Sequence, residues 1–304
     1  MRSDHWRSLL FCPADRPERV AKAIAARPGG VVVDLEDSVH SAHRERARQC
    51  AVETLRAADS PDVFHLIRVN SVASGDLQHD LAAVIGPWLD AVVLPKVCGP
   101  ADVAEVAERL RTAETSRGMT PGSIGIVPVI EDCAALRHVY DIAAAASTVV
   151  AMSFAGAEAG DFMADLGGRW TPDDLALLYP KSRFVCEVRA AGALPAVDGP
   201  TMNLQDPDVW ESECSIARTL GFDGKVAIHP KQLDTINRAF LPTTAEMEEA
   251  RRVLAALDAA AVSGTGVASD RGRMLDSANG RAARRLLGRA GESARPGNRR
   301  GLGG

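Results

Sequence analysis

Eight short apolar runs, each stopping on residues with charged, hydrogen-bonding or turn-forming character, constrain this 304-residue chain more than any other feature. They are Ser8 to Phe11 before Cys12-Pro13, Val31 to Val33 before Asp34-Leu35-Glu36-Asp37, Phe64 to Ile67 before Arg68-Val69-Asn70, and Ala91 to Leu94 before Pro95-Lys96. Ile124 to Ile130 then precedes Glu131-Asp132, Thr148 to Met152 precedes a glycine-rich segment ending at Asp161, Leu194 to Val197 precedes Asp198, and Lys225 to Ile228 precedes His229-Pro230. Helix-like segments separate the runs at Glu18 to Ala26, Ala42 to Ala57, Leu77 to Val84, Ala101 to Glu114, Ala134 to Ala145 and Ser215 to Leu220. Alternation of this kind is the signature of a parallel α/β architecture, and eight repeats predict a (β/α)8 TIM barrel with a C-terminal helical extension. The carboxyl ends of all the strands of such a barrel converge on one face, where its active sites sit. The polar residues that close the runs therefore fall together.

Three segments are expected: a barrel over residues 1–242, a helical extension over 243–289, and a disordered tail over 290–304. The break at Leu241-Pro242 ends the barrel, and helices are predicted over Ala245 to Ala259 and Asp276 to Leu287 with a Ser-Gly-Thr hinge between them. The last residues are rich in Gly, Arg and Ser and carry too little apolar surface to offset the entropy of ordering. A formal net charge of -5 and the lack of a basic stripe argue against nucleic acid as a partner. The six cysteines are dispersed with no C-x-x-C pair, which points to reduced thiols rather than zinc. No apolar run reaches the length of a membrane span. The short polar start leaves no room for a signal peptide, so a cytoplasmic protein is expected.

Glu131 and Asp161 close adjacent strands, and two carboxylates completed by water and substrate oxygens suit a hard cation such as Mg2+. Helix capping by Asp161 and solvation of Glu131 is the structural alternative. Arg68 at the mouth can hold a carboxylate or a developing enolate oxygen, or can form an ion pair with Glu36 or Asp37. His229 is the one histidine at a predicted strand end, where a structural role stands beside a chemical one.

Several motifs stand in order along the chain: Arg7-Ser8-Leu9-Leu10-Phe11 with Pro13, Asp34-Leu35-Glu36-Asp37-Ser38-Val39, Ile67-Arg68-Val69-Asn70, Leu94-Pro95-Lys96-Val97 and Pro128-Val129-Ile130-Glu131. Asp161 with Asp165-Leu166-Gly167, Ile228-His229-Pro230 with Gln232, and Gly272-Arg273-Met274-Leu275-Asp276 follow them. By these motifs the chain resembles the citrate lyase beta-subunit-like branch of the HpcH/HpaI aldolase family. The resemblance implies a Mg2+-dependent carbon-carbon lyase acting on 3-hydroxyacyl-CoA substrates of the malyl-CoA or citramalyl-CoA type, yielding an acyl-CoA and a 2-oxo acid. It implies Glu131 and Asp161 as metal ligands, with Glu131 also at the substrate, and Arg68 as the group that binds the 2-oxo acid and stabilises the enolate. It implies Asp276 as the aspartate that closes over a neighbouring subunit's site and handles the proton, in a homotrimer or hexamer. His229 and Pro230 are implied to lie near the CoA nucleotide. Three departures stand out: Glu158 is separated from Asp161 by Ala159-Gly160 and is the alternative ligand, Asp132 replaces a common Thr or Ser, and Cys98 replaces a common Glu. A pyruvate-dependent aldolase, an acyl-carrier-protein-dependent citrate lyase beta subunit and a non-catalytic CoA-binding protein are the other readings.

Overall fold

Strands that are buried on both faces carry no polar alternation, and this is why the runs read as continuous Val, Ile and Leu. In the computed structural model, which describes residues 3–291 other than 59 and 193, they form β1 (Ser8–Pro13), β2 (Gly30–Asp34), β3 (Phe64–Arg68), β4 (Ala91–Leu94), β5 (Gly125–Ile130), β6 (Met152–Phe154), β7 (Ala196–Asp198) and β8 (Gly224–Ala227). All pair in parallel with their sequence neighbours, and β8 returns to β1 to close the barrel. The TIM-barrel expectation therefore holds. Alternate residues Leu9, Val32, Leu66, Val93, Val127, Val197 and Val226 share one buried cluster, and the opposite faces of the strands join a second cluster with the helices. Trp6 and Phe64 meet edge to face at 5.7 Å and belong to the first cluster. A side chain at Gly224 would place its Cβ 1.9 Å from the Trp6 carbonyl oxygen, so only glycine lets β8 start that close to the segment before β1.

The helices between and after the strands are α1 (Pro17–Ala25), α2 (Arg44–Ala57), α3 (Leu77–Val84), α4 (Pro100–Ser116), α5 (Cys133–Leu136), α6 (Val139–Ala144), α7 (Asp161–Leu166), α8 (Leu175–Ala190), α9 (Pro207–Leu220) and α10 (Leu233–Phe240). Three expectations are corrected. The sixth strand is regular only from Met152 to Phe154, although its ladder with β5 begins with the Ile126 amide donating to the Thr148 carbonyl at 2.8 Å. The helix expected over Ala134 to Ala145 is split into α5 and α6, and α9 starts at Pro207, well before Ser215.

One compact unit is His5–Phe240, and a second contains the C-terminal segment from Leu241. In the latter, α11 (Thr244–Val262) packs on α12 (Ser277–Arg289) through Ala250, Ala283 and Leu287. Between them the expected hinge, Ser263 to Gly266, is a turn with no regular structure, and beyond it β9 (Ala268–Asp270) and β10 (Arg273–Leu275) form an antiparallel hairpin. The tail expected to be disordered over 290–304 lies, beyond residue 291, outside the described residues. No helix of the described residues is long and apolar enough to cross a membrane.

Candidate active site at the strand ends

Asp34 and Arg68 are register partners at the carboxyl ends of β2 and β3. The Arg68 guanidinium uses the fork for which it is shaped: Nε donates to Asp34 Oδ1 at 2.6 Å and Nη2 to Oδ2 at 2.7 Å. The backbone amides of Glu36 and Ser38 donate to the same carboxylate at 3.0 and 3.1 Å. Burial alone would raise the Asp34 pKa, but the hydrogen bonds and charge of Arg68 outweigh it and hold the carboxyl below its ordinary range. The ion-pair alternative for Arg68 is also realised. Its Nη1 lies 3.1 Å from Glu36 Oε2 and 3.7 Å from Asp37 Oδ2, and its carbon sits 5.4 Å from the Phe11 ring centroid. Lys96, just beyond β4, completes the array with Nζ 2.6 Å from Glu36 Oε1 and 3.0 Å from Asp37 Oδ1. It does so from a left-handed backbone with φ of 51°, a conformation that is strained for a residue with a side chain.

Glu131 stands just beyond β5 and differs from these acids. It is 6% exposed, yet no hydrogen bond or ion pair reaches its carboxylate among the described residues. Burial, reinforced by the negative charges of Glu36 and Asp161 against the opposing pull of Arg68, pushes its pKa up to about 8. Asp161 is the first residue of α7, whose cap position is occupied by Gly160. The capping alternative for Asp161 is therefore not what the fold uses it for. Asp165, one turn on, accepts from the Cys133 amide at 2.8 Å and ties α7 to the loop that follows Glu131. Asp132 turns its carboxylate to the start of α5, accepting from the Ala135 amide at 2.6 Å. Glu158 and Asp161 are both exposed, and the Asp161 charge is one of those that raise Glu131.

Could these residues hold a divalent cation? Among the described residues no group of three or more His, Cys, Asp or Glu side chains is gathered as a metal cage. A carboxylate that lacks a protein partner, raised in pKa by burial and then by the charges of Glu36 and Asp161, is a site deficient in positive charge. Two acids with remaining positions for water and substrate oxygens fit Mg2+, which dehydrates reluctantly and is commonly held this way.

His229 lies between β8 and a short 3-10 turn, Pro230–Gln232, with Nδ1 accepting the Lys231 amide at 3.1 Å. It therefore has the structural role considered for it. It also lines, with Pro230, Ile228, Phe11, Arg19 and Lys22, a cavity of about 420 Å³. Arg19 and Lys22, on α1, are exposed and make no ion pair among the described residues. Sequence reading misses both, together with Asp34 as the partner of Arg68 and Lys96 as a member of the array.

Asp276 belongs to the C-terminal unit and caps α12: its Oδ1 accepts from the Ala278 and Asn279 amides at 2.8 and 3.3 Å, and the Asn279 side chain accepts in return from the Asp276 amide at 2.9 Å. Its carboxylate is exposed.

A profile described as HpcH/HpaI aldolase/citrate lyase matches residues 7–230 of the chain. The citrate lyase subunit beta of Escherichia coli strain K12 is 31% identical over 284 residues, 93% of either chain. The L-malyl-CoA/beta-methylmalyl-CoA lyase of Cereibacter sphaeroides is 31% identical over 293 residues, 90% of this chain and 91% of that one. Among solved structures, the CitE protein of Mycobacterium tuberculosis in complex with magnesium, acetoacetate and coenzyme A is similar with a TM-score of 0.74 and 32% identity, over 94% of this chain and 98% of that chain.

Proposed function

The chain belongs to the HpcH/HpaI aldolase/citrate lyase family and is a lyase, and on that premise we propose that it cleaves, or in reverse forms, a 3-hydroxyacyl-CoA of the malyl-CoA or citramalyl-CoA type, giving an acyl-CoA and a 2-oxo acid. The observation that carries the reading is the buried, unpartnered Glu131 carboxylate in the charge field of the Arg68 array. Glu131 and Asp161 would hold Mg2+, with Asp161 preferred to Glu158 because its charge acts on Glu131. Bound there, the cation would supply Lewis acidity to the hydroxyl and carboxylate of the substrate.

The residues of the chain do the rest. When the carbon-carbon bond breaks, the hydroxyl gives up its proton to water, its oxygen becomes the carbonyl of the 2-oxo acid, and the electron pair of the broken bond passes to the acyl-CoA carbon. The enolate charge so formed needs a fixed donor. Arg68 is one, because Asp34 clamps Nε and Nη2 while Glu36 sits 3.1 Å from Nη1, so the N–H groups not engaged by these acids are already oriented without further cost in entropy. Asp276 would deliver the proton to the enolate carbon, from a neighbouring subunit of a trimer or a multiple of it. Arg19, Lys22 and His229 offer phosphate oxygens two free cations and a ring at the edge of the barrel, where the CoA nucleotide would lie. The C-terminal extension that carries Asp276 favours a stand-alone CoA-ester enzyme over a subunit of a citrate lyase complex.

The test is a panel of 3-hydroxyacyl-CoA thioesters with Mg2+, scoring free 2-oxo acid and acyl-CoA. Turnover of at least one thioester is expected. Turnover of the same acyl group on an acyl-carrier protein alone, or of pyruvate adducts without CoA, would replace this reading.

A further inference from the structure

Gln232 touches neither the strand-end acids nor the Arg68 array, and it is 1% exposed. Its amide is used at both ends. Oε1 accepts from the Ile228 amide at 2.9 Å and from the His229 amide at 3.3 Å, while Nε2 donates to the Thr201 carbonyl at 2.8 Å. Ile228 and His229 line the cavity that Arg19 and Lys22 make cationic. The Thr201 end is anchored in turn. Thr201 Oγ1 donates to Glu213 Oε2 at 2.5 Å, Glu213 lies 3.3 Å from Lys225 Nζ, and Lys225 lies 2.7 Å from Asp198 Oδ2. Lys181 then bridges Asp198 at 3.2 Å and Asp174 at 2.6 Å.

We propose that Gln232 is the positioning residue of the CoA cavity: it hangs the Ile228-His229 backbone on a buried ionic chain running from Asp174 to Thr201, and so fixes the wall against which the nucleotide end of the substrate docks. The inference rests on the CoA reading given above. A carboxamide is the group the place requires. It alone among side chains of that length offers an acceptor to two amides and a donor to a carbonyl with no net charge. Every acceptor and donor in the chain is buried, so losing one cannot be repaired by water without opening the core.

The consequence is a division of labour that kinetics can read. Gln232→Met keeps length and volume but removes both hydrogen-bonding ends, and Gln232→Glu keeps the acceptors but sets a carboxylate oxygen against the Thr201 carbonyl. Calorimetry with CoA itself should show affinity falling about tenfold in Gln232→Met, as for loss of one to two hydrogen bonds that hold a binding surface, and less in Gln232→Glu. The KM for the acyl-CoA should rise by the same factor, with kcat and the KM for the 2-oxo acid unchanged. A residue that serves only to keep the barrel folded would lower the unfolding temperature and the active fraction while leaving CoA affinity intact, and that result overturns the proposal. If Gln232→Met does not fold, Gln232→Glu decides by the same titration. If the wild-type protein does not bind CoA while Arg19→Ala and Lys22→Ala change nothing, the CoA reading itself falls and the inference falls with it. Wild-type binding that is lost in Arg19→Ala but unchanged in both Gln232 variants overturns the inference alone.

Discussion

Glu131 and Asp198 are acids at the ends of strands in the same barrel, both hidden from solvent, and their pKa values move in opposite directions. Asp198 is fully buried, and although burial works to raise its pKa, the charges and hydrogen bonds of Lys181 and Lys225 hold it below the ordinary carboxylate range. Glu131 has no such partner and is pushed up to about 8. Burial by itself therefore does not separate a structural acid from a functional one. What separates them is whether the protein supplies the counter-charge. The chain around Asp198 is closed, each acid meeting a lysine or a hydroxyl. The mouth is closed at Asp34 and left open at Glu131, and an open position there is where a cation and a substrate can enter.

The largest effect expected from this contrast is in Glu131→Gln. Activity should fall by about a thousandfold or more, the scale on which catalysis is lost when a main electrostatic element is removed, and Mg2+ binding should be lost in calorimetry. Stability of the metal-free protein should not fall, because no protein contact is broken. Unchanged Mg2+ affinity in both Glu131→Gln and Asp161→Asn would show that the open position is not a metal site, and loss in Glu158→Gln with retention in Asp161→Asn would move the second ligand.

Asp198→Asn should behave in the opposite sense. Removing one member of a buried, paired chain leaves Lys181 and Lys225 short of negative charge and should cost about 3–5 kcal/mol of stability, read by denaturant unfolding, while the folded fraction keeps its kcat. A neutral effect on stability would break the comparison, since it would mean that the closed chain is no more dependent on its acid than the open site is on Glu131.

Arg68→Lys comes next. The substitution keeps the charge and loses the planar fork that Asp34 clamps, so kcat should drop by at least about a hundredfold. A change confined to KM would show that Arg68 binds substrate without serving the transition state.

The opposite shifts also give opposite pH dependences, at smaller amplitude. A folded-state pKa raised to about 8 for Glu131 contributes stability that is fully present below the unfolded carboxyl's value and is lost as pH rises towards 8. In EDTA, Glu131→Gln should therefore gain on the wild type as pH climbs from about 5 to about 8.5, and excess Mg2+ should erase the gain. The depressed Asp198 contributes stability that is present at neutral pH and is lost only as pH falls through the acid range. Thermal unfolding of the two variants beside the wild type across this range checks both signs.

The barrel is legible in the sequence because parallel strands covered on both sides must be continuously apolar, and the residues that stop them are the ones at the mouth. Arg68, Glu131 and Asp161 are found on that ground. Asp34 as the clamp of Arg68 is not, because strand register is a property of the closed sheet rather than of either run. Arg19 and Lys22 lie on a helix surface, where exposed cations are the rule and mark nothing by themselves. Helix α8 escapes periodicity because it contains Pro180 and exposes Leu175, Leu178 and Tyr179, so its apolar residues do not fall on one face. The β9–β10 hairpin is short and mostly solvated, leaving no apolar alternation to read.

Asp276 offers the finest test, since it is satisfied like Asp198 and yet is assigned a proton like a functional acid. Its carboxylate caps α12 through the Ala278 and Asn279 amides, and an asparagine can accept the same hydrogen bonds without carrying a proton. Asp276→Asn should therefore abolish turnover at unchanged stability, whereas Asp276→Ala should abolish turnover and also cost about 1 kcal/mol through loss of the cap. Co-refolding Asp276→Asn with Arg68→Ala, each inactive alone, should restore activity in mixed oligomers if the aspartate serves a neighbouring subunit, because some sites would then hold both residues. Mixed oligomers without activity would confine Asp276 to its own subunit or to capping. Full activity in Asp276→Asn would leave the cap as its whole role, and the acid that protonates the enolate would have to be sought among the groups at the mouth of the barrel.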